Sequence, residues 1–82
     1  MPYYEFIWTD EAIAHLDEHE VSPEDFEDVV SHPLDVGRSR SSELPVAFGY
    51  VADGRYVMAV YKMLDDMTVL PVTAYEVNEP QS

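Results

Sequence analysis

The sequence predicts an α+β domain: one strand, two helices, then an antiparallel β-meander of three to four strands. Three observations carry this. The apolar residues follow a helical period up to about residue 33 and a period of two from about Asp35 onward. Ser22-Pro23, followed by Asp25, is a helix start. Asp53-Gly54 separates two runs rich in β-branched and aromatic residues, which is a hairpin signal.

In chain order, residues 3–8 (Tyr-Tyr-Glu-Phe-Ile-Trp) read as a first strand. Thr9 is placed to cap a first helix, with Asp10 and Glu11 in the turn where the helix dipole favours anions. Ala12, Ile13 and Leu16 form its apolar stripe, and it ends near His19–Glu20. The second helix has Ser22 as cap and Pro23 at its first position, and Pro33 stops it. Val21 and Phe26 stand at hydrophobic-staple spacing, and Phe26, Val29 and Val30 form the face to be buried. Arg38–Ser42 is polar and reads as a short edge strand or an ordered loop. Val46–Ala52, Arg55–Met63 and Thr68–Val77 are the later strands, with a turn at Leu64–Met67. Residues 1–77 make the single domain, and 78–82 a loose tail.

Two-residue loops at Asp53-Gly54 and Asp65-Asp66 would set the registers. Phe48, Tyr50, Val57, Ala59, Tyr61, Leu70, Val72 and Ala74 would then face the helices. Val51, Tyr56, Met58, Val60, Lys62, Val69, Thr73 and Tyr75 would form a second face, too apolar for an ordinary wet surface. A slip of one residue inverts these faces. Pro71 has no N–H to give the ladder, which predicts an edge or a bulge there.

At 82 residues and 9.4 kDa the chain makes one small core, burying roughly 60–65 % of its unfolded surface. Four Lys+Arg against seventeen Asp+Glu give −13, while 46 % hydrophobic residues exclude a disordered acidic tail. The charge is uneven. Residues 1–37 hold eleven carboxylates and no Lys or Arg, and all four basic residues (Arg38, Arg40, Arg55, Lys62) follow. The acidic half is a solubility reserve or a face that steers a cationic partner. No cysteine, no secretory pattern at the start and no apolar run near 20 residues together predict a cytoplasmic protein with no membrane contact. The total charge disfavours binding through many phosphate contacts.

His15-Leu16-Asp17-Glu18-His19 matches H-x-x-E-H, in which two His one turn apart can share a zinc ion. A catalytic zinc also needs a third ligand and a walled cleft, and a chain this short has little material for either. No metal or other cofactor is therefore expected. Nucleophilic catalysis is poorly supported: there is no Cys, and Ser22, Ser39, Ser41 and Ser42 lie at a cap or in the polar stretch. With three glycines there is no phosphate-cradling loop. Arg55, Lys62, Tyr56, Tyr75 and Thr73 fall on adjacent strands, with Arg38 and Arg40 near. Cations and stacking aromatics are what a small RNA-binding sheet uses. The plainer alternative pairs Arg55 with Glu76 and makes Lys62 an edge gatekeeper.

Several segments are similar to motifs of the BrnT toxins, a family of the RelE/ParE-like superfamily. Trp8-Thr9-Asp10 resembles the family's W-D, and His19-Glu20-Val21-Ser22 with Phe26 its K-H-G-V-[ST] segment. Phe48-Gly49-Tyr50-Val51-Ala52-Asp53-Gly54-Arg55 resembles its I-G-x-x-x-D-G-R hairpin, and Val60-Tyr61 the V-Y that follows. Val72-Thr73-Ala74-Tyr75-Glu76 stands in the place of I-S-A-R-K. The likeness spans about residues 6–77. It implies a RelE/BrnT-like fold, ribonuclease activity that stops translation, and silencing by an antitoxin. It also implies His19 and Arg55 as catalytic residues, with Lys62, Tyr56, Tyr75, Arg38 and Arg40 holding substrate. Family residues are replaced, however: Glu18 stands for the Lys before His19 and Tyr75 for the Arg of I-S-A-R, which removes two cations, and Glu20 stands for the Gly after His19. Leu44-Pro45 replaces a basic residue ahead of the hairpin strand.

The expectation is thus a divergent toxin-like domain of the toxin–antitoxin kind. It would bind a protein partner, antitoxin-like and basic, with impaired or absent nuclease activity; the alternative is an active RNA endonuclease.

Overall fold

The computed structural model describes residues 4–40 and 43–79. The elements are β1 (Glu5–Phe6), α1 (Asp10–Glu18), α2 (Pro23–Ser31), β2 (Asp35–Arg38), β3 (Pro45–Tyr50), β4 (Tyr56–Met63) and β5 (Thr68–Glu76). They form one sheet in the order β1-β5-β4-β3-β2. β2 to β5 make a four-stranded antiparallel meander, while β1 adds in parallel to β5, so the sheet is mixed. The α+β prediction holds at this level.

β1 is shorter than the predicted strand, whose Tyr3 lies outside the described residues. Its ladder runs from Glu5 N–H on the Met67 carbonyl to Ile7 N–H on Val69, after which Thr9 turns the chain into α1. The Thr9 hydroxyl accepts from Ala12 N–H and the Ser22 hydroxyl from Asp25 N–H, each at 3.1 Å, so both caps form where the side chains predicted them. The edge strand lies earlier than the polar stretch: β2 spans Asp35–Arg38, Ser39 and Arg40 follow it outside the strand, and Ser41 and Ser42 lie outside the described residues. The Val77 N–H still bonds the Tyr56 carbonyl. Of the expected tail, residues 80–82 lie outside the described residues.

α1 ends in a Schellman arrangement. Glu20 N–H bonds the Asp17 carbonyl, Val21 N–H bonds Leu16, and Glu20 takes the left-handed conformation at φ 57°. Val21 and Leu16 close the motif inside the core. A glutamate bears a steric cost here that glycine does not. Glu20→Gly is therefore expected to raise the unfolding free energy by about 1 kcal/mol in a urea titration. A loss of stability would count against the backbone as the controlling factor.

Both hairpin loops have three residues, not two, and this corrects the registers. Val51 N–H bonds the Arg55 carbonyl and Gly54 sits at φ 94°, a left-handed position at the loop end that suits glycine. Tyr50 thus faces Tyr56 and Phe48 faces Met58. Phe48 and Tyr50 move to the face away from the helices, and Ala47, Gly49 and Val51 take their place on the inner side. In the second hairpin, Leu64 N–H bonds the Thr68 carbonyl, and the Asp65 carboxylate accepts from Met67 and Thr68 N–H at 2.9 and 2.8 Å. Those bonds, the Met67 one foremost, hold the Asp65 carboxyl below its ordinary range. Val69 consequently points to the core and Leu70 away from it. The irregularity expected at Pro71 is present: Tyr61 faces Pro71 while Val60 faces Thr73, so Val72 is the extra residue of a bulge. The bulge returns Ala59 to register with Ala74.

The core lies between one sheet face and both helices. Leu16 and Phe26 are its largest fully buried side chains, joined by Val29, Val57 and Val69. Phe26 makes edge-on contacts with Phe6 and Trp8, at centroid distances of 6.4 and 5.3 Å. The Trp8 indole N–H donates to Glu27 at 2.7 Å, tying the end of β1 to α2. Across the sheet beneath, Ala47, Ala59 and Ala74 stand in register, each wholly buried. Beside this row, Gly49 lies against Val29; a Cβ there would be 3.5 Å from the valine methyl. Small floor residues let α2 sit close.

The radius of gyration is 11.8 Å, that of a compact chain of this length. No helix among the described residues is long and apolar enough to cross a membrane.

Candidate functional site

Two neighbouring places gather the residues singled out from sequence. The first is where the end of α1 meets the β3–β4 hairpin. His19 caps α1, and its ring lies 5.8 Å from that of Tyr75 on β5. Arg55 reaches the same place from the hairpin. Its Nε donates to the Asp53 carboxylate at 2.8 and 3.0 Å, its Nη1 to the His19 carbonyl at 3.2 Å and its Nη2 to the Glu20 carbonyl. The geometry of guanidinium suits this: Nε meets the carboxylate, and the two outer nitrogens take the carbonyls of the two residues that follow α1.

The pairing raises Arg55 above its ordinary value and, through the same hydrogen bond, lowers the Asp53 carboxyl. Glu76 and Glu20 add attraction at Arg55, but the ion pair is with Asp53 at 2.8 Å; the expected Arg55–Glu76 pairing is not what forms. Arg55 is thus a strap joining the hairpin to α1. Its side chain is 23 % exposed, with donors spent on the protein itself. Spacing hinted at this, because Asp53 stands two residues from Arg55, but the helix carbonyls are invisible in a sequence.

The second place is the sheet face that carries no helix. Gly37, Arg38, Ser39, Arg40, Val46, Phe48, Met58 and Tyr75 line a groove of about 400 Å³. Arg38 Nη1 donates to the Glu43 carbonyl at 3.3 Å. Phe48 stacks on Tyr56 at 6.0 Å and 12° between planes, and the Tyr50 ring lies 5.1 Å from that of Tyr56, tilted by 59°. Tyr56 is consequently buried at 6 % exposure, and burial pushes its phenol up. It supports the face and offers little ring surface to a ligand. Lys62 is exposed on β4 opposite Leu70, along the sheet from the arginines. The structure therefore brings Arg38, Arg40 and Tyr75 to one groove, His19 and Arg55 to the adjoining helix end, and leaves Lys62 apart. Phe48, Met58 and Gly37 as groove lining were missed from sequence, since the one-residue register error placed Phe48 on the core side.

The histidines of the H-x-x-E-H match part company. His15 Nδ1 lies 3.2 Å from the Val72 carbonyl at the bulge, whereas His19 turns to Tyr75. Among the described residues no group of three or more His, Cys, Asp or Glu side chains is placed to hold a metal ion.

Comparison with protein families, curated proteins and solved structures finds no match to the chain.

Proposed function

We propose that this chain is a divergent toxin-like module of the BrnT kind that acts by binding a protein partner, with nuclease activity impaired or lost. The commitment of Arg55 carries the reading. A guanidinium held by a carboxylate and by two carbonyls just past the end of α1 has three of its five N–H groups turned to the protein, whereas the developing charge on a scissile phosphate needs donors aimed at it. Glu18 and Glu20 flank His19, where the resembling family has a Lys and a Gly. α1 and α2 present acid in their first turns, and residues 1–37 contain no Lys or Arg. Such a surface favours a basic partner, antitoxin-like in charge, whose affinity falls as salt screens exposed charges.

A second reading, RNA endonuclease, draws on one observation: Tyr75 stands between His19 and the groove bearing Arg38 and Arg40. There His19 would act as acid or base, with the two arginines on phosphates and Lys62 too far along the sheet to join them.

Induced expression in bacteria separates the two. Normal growth and intact messenger RNA are the expected result. Growth arrest with cut RNA, abolished by His19→Ala, would transfer the assignment to the nuclease.

A further inference from the structure

We propose that β2 is the contact between two copies of this chain, its strands pairing antiparallel across a two-fold axis so that both sheets become one. β2 is the outer strand at one end of the sheet, and all four of its residues are exposed. The ladder fixes which backbone groups face out. Ser39 N–H bonds the Leu44 carbonyl, so the bonded pairs with β3 fall on alternate residues, at Gly37/Val46 and Asp35/Phe48. Arg38 stands opposite Pro45, which has no N–H to offer, as an unbonded pair requires. The N–H and C=O groups of Val36 and Arg38 therefore point away from the sheet. The outward Val36 N–H is covered by the Asp35 carboxylate at 2.9 Å. Leu34 and Val36, at 66 % and 62 %, are the most exposed large apolar residues among those described.

Charge selects the occupant. Along this edge it runs from negative, at Asp35 and the nearby end of α2 with Asp28, to positive, at Arg38 and Arg40. A second β2 laid antiparallel reverses that order, so each acidic end meets the other copy's arginines. With the axis at Val36, that residue faces Val36 of the second copy and Leu34 faces the stem of Arg38 of the second copy. Asp35 faces Gly37 of the second copy, where no side chain obstructs its carboxylate. Strand pairing takes over the Val36 N–H from the Asp35 carboxylate, and Arg38, on the same face as Leu34, comes to the end of α2 of the second copy, where Asp28 stands. Arg38 gives one N–H to the Glu43 carbonyl. The contact is isologous and closes on itself. It does not depend on the basic-partner reading, which concerns the acidic helices.

Sedimentation of the full chain from about 10 µM to about 1 mM tests it, since so short an edge sits at the small end of interfaces. A monomer–dimer equilibrium is expected, with amide exchange at Val36 and Arg38 slowing as concentration rises. Val36→Pro removes the outward donor without taking a ladder bond, and Val36→Lys places like charges on the axis. Both should remain folded by circular dichroism and sediment as monomers; if the proline variant unfolds, the lysine variant decides. Arg38→Asp should weaken dimerisation about tenfold, and adding Asp28→Arg should restore it. A monomer at every concentration would overturn the proposal and leave the edge to another protein's strand. So would a dimer that survives both Val36 variants.

Discussion

Replacing Phe26 with alanine is expected to lower the unfolding free energy by about 3–5 kcal/mol. Phe26 is fully buried and holds α2 to both Phe6 of β1 and Trp8 at the entry to α1. Its removal opens a cavity at the junction of three elements, none of which can collapse without dragging another. A domain this small has on the order of 5–10 kcal/mol in total. The variant should therefore be partly unfolded near body temperature, with a urea midpoint about halved. A change below about 1 kcal/mol would mean that Trp8 or Phe6 swings into the vacancy.

Ala59→Leu is the second large effect. Ala59 is the middle of the alanine row, with no exposed surface, between Ala47 and Ala74 on the neighbouring strands. Added volume there has nowhere to go but up against the helices, at a cost of about 1–3 kcal/mol. Ala14→Leu, on the exposed side of α1, is the matched control and should be close to neutral. Thermal melts of the two side by side make the comparison; equal melting temperatures would show that the sheet–helix gap is not closed. Val29 against Gly49 gives the same layer a second close approach.

The helices were readable because their signals are local. Thr9 and Ser22 each bond an N–H three residues on, and Pro33 follows the end of α2. Strand positions were nearly as plain. Facing was not, because it depends on loops: one extra residue in each turn, at Ala52 and at Met67, moved Phe48, Tyr50, Leu70 and Val69 to the opposite face from that expected. β4 kept its predicted faces, with Val57 and Ala59 in the core and Tyr56 and Met58 outside it. The bulge at Val72 restored Ala74 to the inner side. Of the candidate site, Arg55 and Tyr75 could be placed on the later strands, but the approach of His19 to both could not be anticipated. The strap could not, since two of its acceptors are main-chain carbonyls and depend on where α1 happens to stop.

The parallel pairing of β1 with β5 has a bearing on how the protein is made. Glu5 finds its partner at Thr68, and His15 of α1 reaches the Val72 carbonyl on the same late strand. During synthesis the first two elements leave the ribosome long before the strand that receives them exists. The meander of β2 to β5, built from neighbours in sequence, can assemble by short loop closures, whereas the amino-terminal segment must wait and then close a loop of most of the chain. Completion of this sheet is thereby expected to wait until β5 has been made. In the interval the acidic residues of 1–37 keep the waiting segment in water.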